Sequence, residues 1–137
     1  MEGGVFTVLP QFPGSISTTP NGINASGRIT GIWMPDRNTL HSFLLVKGSF
    51  TGLEDPEAGN CTGAVYCTTT FVTAINDHDQ IVGWFVKDDG TTHGLLLNQG
   101  VYTTIDFPGA VATYADGIND AVQIVGAYLD SSSVRKK

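Results

Sequence analysis

Ala74-Ile75-Asn76-Asp77-His78-Asp79-Gln80-Ile81-Val82-Gly83 joins two short apolar runs through a turn, and the chain writes that phrase three times. The first copy is Gly22-Ile23-Asn24 followed by Arg28-Ile29-Thr30-Gly31, and the third is Gly117-Ile118-Asn119 followed by Gln123-Ile124-Val125-Gly126. The runs are short, rich in Ile, Val, Thr and aromatic residues, and bounded by Gly, Pro or Asn-Asp, which predicts strand, turn, strand. One turn slot holds Gly27, Asp79 and Val122 in the three copies. Glycine takes positive φ freely and aspartate tolerates it. A β-branched side chain does not, so the third turn is expected either to differ or to carry strain.

Working outward, each copy is preceded by another short run: Val5-Phe6-Thr7-Val8-Leu9, Ser49-Phe50-Thr51-Gly52-Leu53 and Val101-Tyr102-Thr103-Thr104-Ile105. A proline word follows each: Phe12-Pro13-Gly14, Asp55-Pro56-Glu57 and Phe107-Pro108-Gly109. A last run opens on histidine in two copies, His41-Ser42-Phe43-Leu44-Leu45 and His93-Gly94-Leu95-Leu96-Leu97. Phe6 and Phe50 stand 44 positions apart and Phe50 and Tyr102 stand 52 apart, the excess falling in a looped insertion at about 57–69. A period near 44 lies within the ~40–50 residues of four-stranded propeller blades. The expected fold is all-β, one repeat domain over 1–137, with tandem four-stranded antiparallel blade-like units at about 5–48, 49–100 and 101–133. Roughly eleven strands follow. In the third unit the register sets Lys136 in the histidine slot, so that unit is expected to lack its fourth strand.

Composition agrees. Glycine supplies 17 of 137 residues, threonine 16, and Lys, Arg and Glu together only 10, which leaves few helix formers. A net charge of -6 and a pI near 4.7 argue against a nucleic-acid partner. The apolar runs are far too short for a membrane-spanning helix. Met1-Glu2-Gly3-Gly4 has no basic stretch leading into an apolar run, so no signal peptide is expected in this chain.

The Gly-Ile-Asn, Ile-Val-Gly and His-Gly-Leu or His-Ser-Phe words, with Thr103-Thr104-Ile105-Asp106-Phe107-Pro108-Gly109, resemble the HAF-type extracellular repeat over residues 5 to about 133. That repeat occurs in tandem in bacterial, often secreted, proteins. The resemblance implies blade-like units similar to those of β-propellers and an extracellular or periplasmic setting. It brings no catalytic activity. The second unit departs from it by lacking Phe-Pro-Gly.

Three units are too few for a ring of the usual four to eight blades, and an open stack exposes edges and faces that invite association. The expectation is therefore a partial β-propeller completed by self-association, with a dimer favoured and two chains giving six blades. The N-terminal strand would join the C-terminal hairpin, within one chain or across two. The rival reading is a fragment of a longer repeat array.

No constellation points to an enzyme: there is no G-x-S-x-G elbow, and no carboxylate pair recurs beside a histidine. His41 and His93 open apolar strands, where a ring hydrogen bond to a nearby backbone carbonyl explains them better than metal binding. The Asn-Asp turns are too short for a calcium loop and lack its late glutamate. Glu54, Asp55 and Glu57 read as a solvated acidic loop. No metal or cofactor is expected. Cys61 and Cys67 allow a local disulfide or two free thiols, which the residues alone leave open. Trp33, Phe85 and Tyr128 share one register, two residues after the repeated glycines. They suit packing between units or, with Trp84, stacking on a ligand. Trp84 and Phe85 should point to opposite sides of their strand, leaving one exposed. The functional expectation is a non-enzymatic, repeat-built interaction module. The alternative is small-ligand binding, for example of carbohydrate, or hydrolysis at a site between blades.

Overall fold

The computed structural model describes residues 6, 8–59, 67–131 and 135–136. It contains β1 (Ser17–Ile23), β2 (Ile29–Met34), β3 (Thr39–Val46), β4 (Ser49–Leu53), β5 (Cys67–Thr68), β6 (Thr70–Ile75), β7 (Ile81–Val86), β8 (Thr92–Asn98), β9 (Val101–Ile105), β10 (Ala112–Ile118), β11 (Ile124–Leu129) and β12 (Arg135–Lys136). No helix occurs among the described residues, so the chain is all-β. Strands β1 to β4 pair antiparallel in sequence order, as do β6 to β9, and β10, β11 and β12 form a third antiparallel run. A parallel pairing of Ala112 with Thr92 joins the second run to the third, making two sheets in all. The face of β2 packs on β6, and that of β7 on β10.

The hydrogen-bonded runs are offset by one strand from the sequence units. Residues 49–53 close the sheet begun at Ser17, because Lys47-Gly48 is a two-residue hairpin turn with φ of 48° and 82°. Gln99-Gly100, at 51° and 80°, ties β9 to β8 in the same way. Both have the positive φ at two successive residues that a type I′ turn requires. The link onward from β4 or β9 is long and proline-bearing, so it leads to the next run. The expectation of a first strand at Val5–Leu9 is corrected: Phe6, Val8 and Leu9 lie outside any strand. Their counterparts β4 and β9 become strands by pairing with β3 and β8, and no preceding strand is described for the first segment.

Three hairpins share one irregularity. The register slips between Pro20 and Gly22, between Val72 and Ala74, and between Ala115 and Gly117, leaving Asn21, Thr73 and Asp116 as the extra residue of a β-bulge. Across each bulge stands a glycine, Gly31, Gly83 or Gly126. A Cβ there would collide with the carbonyl oxygen of Thr19, Phe71 or Tyr114. The third turn keeps its shape and carries strain: Val122 has φ 62°, matching Asp79 at 62° and Gly27 at 81°. A β-branched residue in this region costs about 1–2 kcal/mol. Val122→Asn should therefore raise the melting temperature by about 2–4 °C in thermal denaturation, and an unchanged value would mean the strain is absorbed.

The core gathers Leu53, Val72, Ile75, Ile81, Phe85, Leu95 and Leu97, with Leu44, Ala58 and Tyr102 against them. Both faces of β7 are covered, since Ile81, Val82, Gly83 and Phe85 are all buried. The third hairpin is bare by comparison: Val125 and Gly126 are exposed. Strand β12 sets Lys136 opposite Tyr128, the register that pairs Trp33 with His41 and Phe85 with His93.

Candidate interaction surfaces

The three Asn-bearing turns are stacked on one another by their side chains. In each, the asparagine Oδ1 accepts a backbone N–H four residues on, from Arg28, Gln80 or Gln123 at 2.9–3.0 Å. This leaves the amide hydrogens free to cross to the next turn. Asn24 Nδ2 donates to the Asn76 carbonyl at 3.0 Å, and Asn76 Nδ2 donates to the Asn119 carbonyl at 3.0 Å. Alongside, the Ala25 N–H donates to Asp77 Oδ1 at 2.7 Å and the Asp77 N–H to Asp120 Oδ1 at 2.7 Å. The bulges form a second ladder: Asn21 Nδ2 donates to the Val72 carbonyl at 2.6 Å and Thr73 Oγ1 to the Ala115 carbonyl at 2.8 Å. Arg28 and Asp79 add an ion pair across the first step. Each rung runs the same way, from one hairpin to the next in sequence.

The two ladders leave the outer hairpins unlike. Asn24 and Asn76 are buried, whereas Asn119, Asp120 and Gln123 are exposed. Ile75, near the Gly22 backbone, is 8% exposed, while its counterpart Ile23 on β1 is 66% exposed. Thr30 and Val82 are fully buried beneath the following hairpin, while their counterpart Val125 on β11 is 66% exposed. Ile23 on β1 and Val125 on β11 therefore stand open at opposite ends of the series. The Asn and Asp residues read in sequence as local turn formers, and in the structure they also reach the next turn. The signal was present in their recurrence at fixed spacing, together with the absence of Asp at position 25 only.

The histidines pair with carboxylates rather than with backbone carbonyls. His41 Nδ1 lies 2.7 Å from Glu54 Oε1, and His93 Nδ1 lies 2.8 Å from Asp106 Oδ1. Each pair ties the third strand of its run to the residue just beyond the fourth. His78 sits exposed in its turn, its N–H donating to Asn76 Oδ1. Among the described residues no group of three or more His, Cys, Asp or Glu side chains is placed to hold a metal.

The aromatic register is mostly committed to packing. Phe85 is completely buried, so it is core and no ligand can stack on it. Trp84, on the other side of the strand, is half-buried, stacked on Phe71 at 4.9 Å and meeting Tyr114 edge-on at 5.3 Å. Trp33 is stacked on Phe12 at 4.0 Å and tilted against His41 at 4.9 Å. Tyr128 is stacked on Phe107 at 3.8 Å. The Phe-Pro-Gly words explain two of these stacks. Gly14 and Gly109, at φ 81° and 78°, close turns in which Ser15 and Ala110 donate to the Phe12 and Phe107 carbonyls, and the turns hold the rings over Trp33 and Tyr128. Cys61 lies outside the described residues, and with it the disulfide question.

The acidic loop is not all solvated: Asp55 is 4% exposed. Its N–H donates to Thr70 Oγ1, its Oδ1 accepts the Glu57 N–H, and its Oδ2 has no partner among the described residues. Burial pushes its carboxyl above the usual range, helped by the charges of Glu57 and Glu54 and opposed by the Glu57 N–H and Lys87. Burial also drives Tyr102, beside Asp55 and Glu54, up to about 12. A raised carboxyl pKa gives stability that is complete below the unfolded value near ~3.9 and is lost as pH rises through the folded value. Wild type should therefore lose stability relative to Asp55→Asn between pH 3 and pH 7. Parallel pH profiles of the melting temperature would contradict this.

The class of protein these features define is an all-β chain whose described residues form hairpins stacked through side-chain ladders, with Ile23 and Val125 exposed on the two outer hairpins. No protein-family model matches the chain, nor does any curated protein or solved structure.

Proposed function

We propose that the chain is a non-enzymatic interaction module built of HAF-type, blade-like repeats, acting outside the cytoplasm. In this reading it self-associates, with two copies completing a propeller-like ring of six units. The observation that carries the reading is the pair of open ends: Ile23 and Val125 are exposed where their inner counterparts are buried under a neighbouring hairpin. What supports an interaction there is that the same positions on the inner hairpins are covered by a neighbour, so a second copy can cover these. The His–carboxylate pairs and buried asparagines support a structural use of the polar residues. Light scattering on the eluting protein should give about twice the 14.5 kDa chain mass. A single-chain mass up to high protein concentration would overturn the self-association.

A cleft of about 650 Å³ favours the second reading, a small polyhydroxylated ligand such as a carbohydrate. It is lined by Trp33, His41, Glu54 and Thr69, and the Trp33 Nε1 and Thr69 Oγ1 atoms have no partner among the described residues. Trp33 would offer its N–H there, since its ring is already stacked on Phe12 and in contact with His41. A sugar that raises the melting temperature of wild type but not of Trp33→Phe would select this reading.

A further inference from the structure

We propose that copies join head to tail, the β10–β11 face of one chain seating on β1 of the next, so that the contact made twice inside the chain is made again between chains. The proposal rests on the self-association above and specifies its surface and register. The inner steps say what belongs on each open face. The β1 face of one hairpin carries the position of Ile75 and Ile118, and the β11 face of another carries the position of Thr30 and Val82. Seated in the same register, Val125 of one copy covers Ile23 of the next, and Asn119 Nδ2 reaches the Asn24 carbonyl as Asn24 reaches Asn76. Each chain carries one face of each kind, so the contact is heterologous and closes only as a ring.

Two residues make this junction weaker than the inner ones. Where Asn21 and Thr73 donate to the carbonyl of the following hairpin, the third bulge holds Asp116, whose carboxylate accepts but does not donate and in this register would face the Pro20 carbonyl of the next copy. Where Asp77 and Asp120 accept an amide from the preceding turn, the first turn holds Ala25, which has no acceptor for the Asp120 N–H. The double change Ala25→Asp with Asp116→Asn restores both bonds and should tighten association by about tenfold or more.

Sedimentation equilibrium over a concentration series tests this. Ile23→Lys and Val125→Lys, both at exposed positions, should each abolish self-association. Mixed together, they should form a one-to-one pair, because each retains the face that the other needs. Wild-type association that survives both lysines would overturn the register and leave the self-association standing. A monomeric wild type with an associating Ala25→Asp/Asp116→Asn variant would overturn native self-association and support the junction. A double variant no tighter than wild type would overturn the junction.

Discussion

Gly83→Ala should lower the melting temperature by about 6–12 °C, the equivalent of about 3 kcal/mol in a domain of this size, while Gly52→Ala leaves it unchanged or slightly higher. Both glycines lie inside strands and neither has positive φ, so backbone freedom does not separate them. Space does. A Cβ on Gly52 meets nothing within 4 Å. A Cβ on Gly83 strikes the Phe71 carbonyl oxygen and comes within 2.7 Å of Val72 Cα, and both are backbone atoms of the paired strand. The bulge lies just there: Val72, the residue before the extra Thr73, is the one that faces Gly83. A side-chain obstacle could rotate away, but here the strands must part in the most buried hairpin. At Gly52 the alanine gains from the lower entropy of its unfolded chain. Thermal or urea denaturation of the two variants decides the matter, and equal stabilities would mean that the bulged hairpin gives way easily.

That glycine shows where reading the residues succeeds and where it stops. The words Ile-Val-Gly and Ile-Thr-Gly mark strands by their apolar content, and their recurrence locates three equivalent hairpins before any coordinate is seen. The strain at Val122 is legible for the same reason, because Gly27 and Asp79 in the same slot reveal the φ that the turn demands. What the glycine avoids is a carbonyl across the bulge, and a one-residue slip leaves no mark in composition or periodicity. The one-strand offset of the sheets has a similar origin. Repetition fixes the period but not its phase, which the Lys47-Gly48 and Gln99-Gly100 turns set. Phe85 and Trp84 are adjacent aromatics of similar apparent use, and only the layering of sheets decides that one is sealed in the core.

Asn76→Asp should cost about 3–4 kcal/mol at neutral pH, although it changes one atom and no volume. Asn76 is 4% exposed and all its polar atoms are engaged. Its Oδ1 accepts the N–H groups of His78 and Gln80, which a carboxylate would still do. Its Nδ2 donates to the Asn119 carbonyl and to Gln80 Oε1. The substitution turns both of those bonds into facing oxygens and buries a charge beside them. Burial and the facing oxygens both raise the new carboxyl's pKa in the folded state. The lost stability should therefore return in part as pH falls toward ~4, where the protonated group can again donate one bond. Asn119→Asp is the matched comparison at the open end of the ladder. Asn119 is exposed, and its amide donates only within its own turn, to Gln123 Oε1 at 2.8 Å, so the same change should cost less than about 1 kcal/mol. The contrast separates the ladder from local turn chemistry, because both asparagines accept the N–H four residues on and donate to the Gln Oε1 of their own turn, while only Asn76, which also accepts the His78 N–H, passes its amide to a following hairpin. Equal losses in urea titrations of the two variants would assign the asparagines to the turns alone and remove the ladder as the element that orients one hairpin on the next.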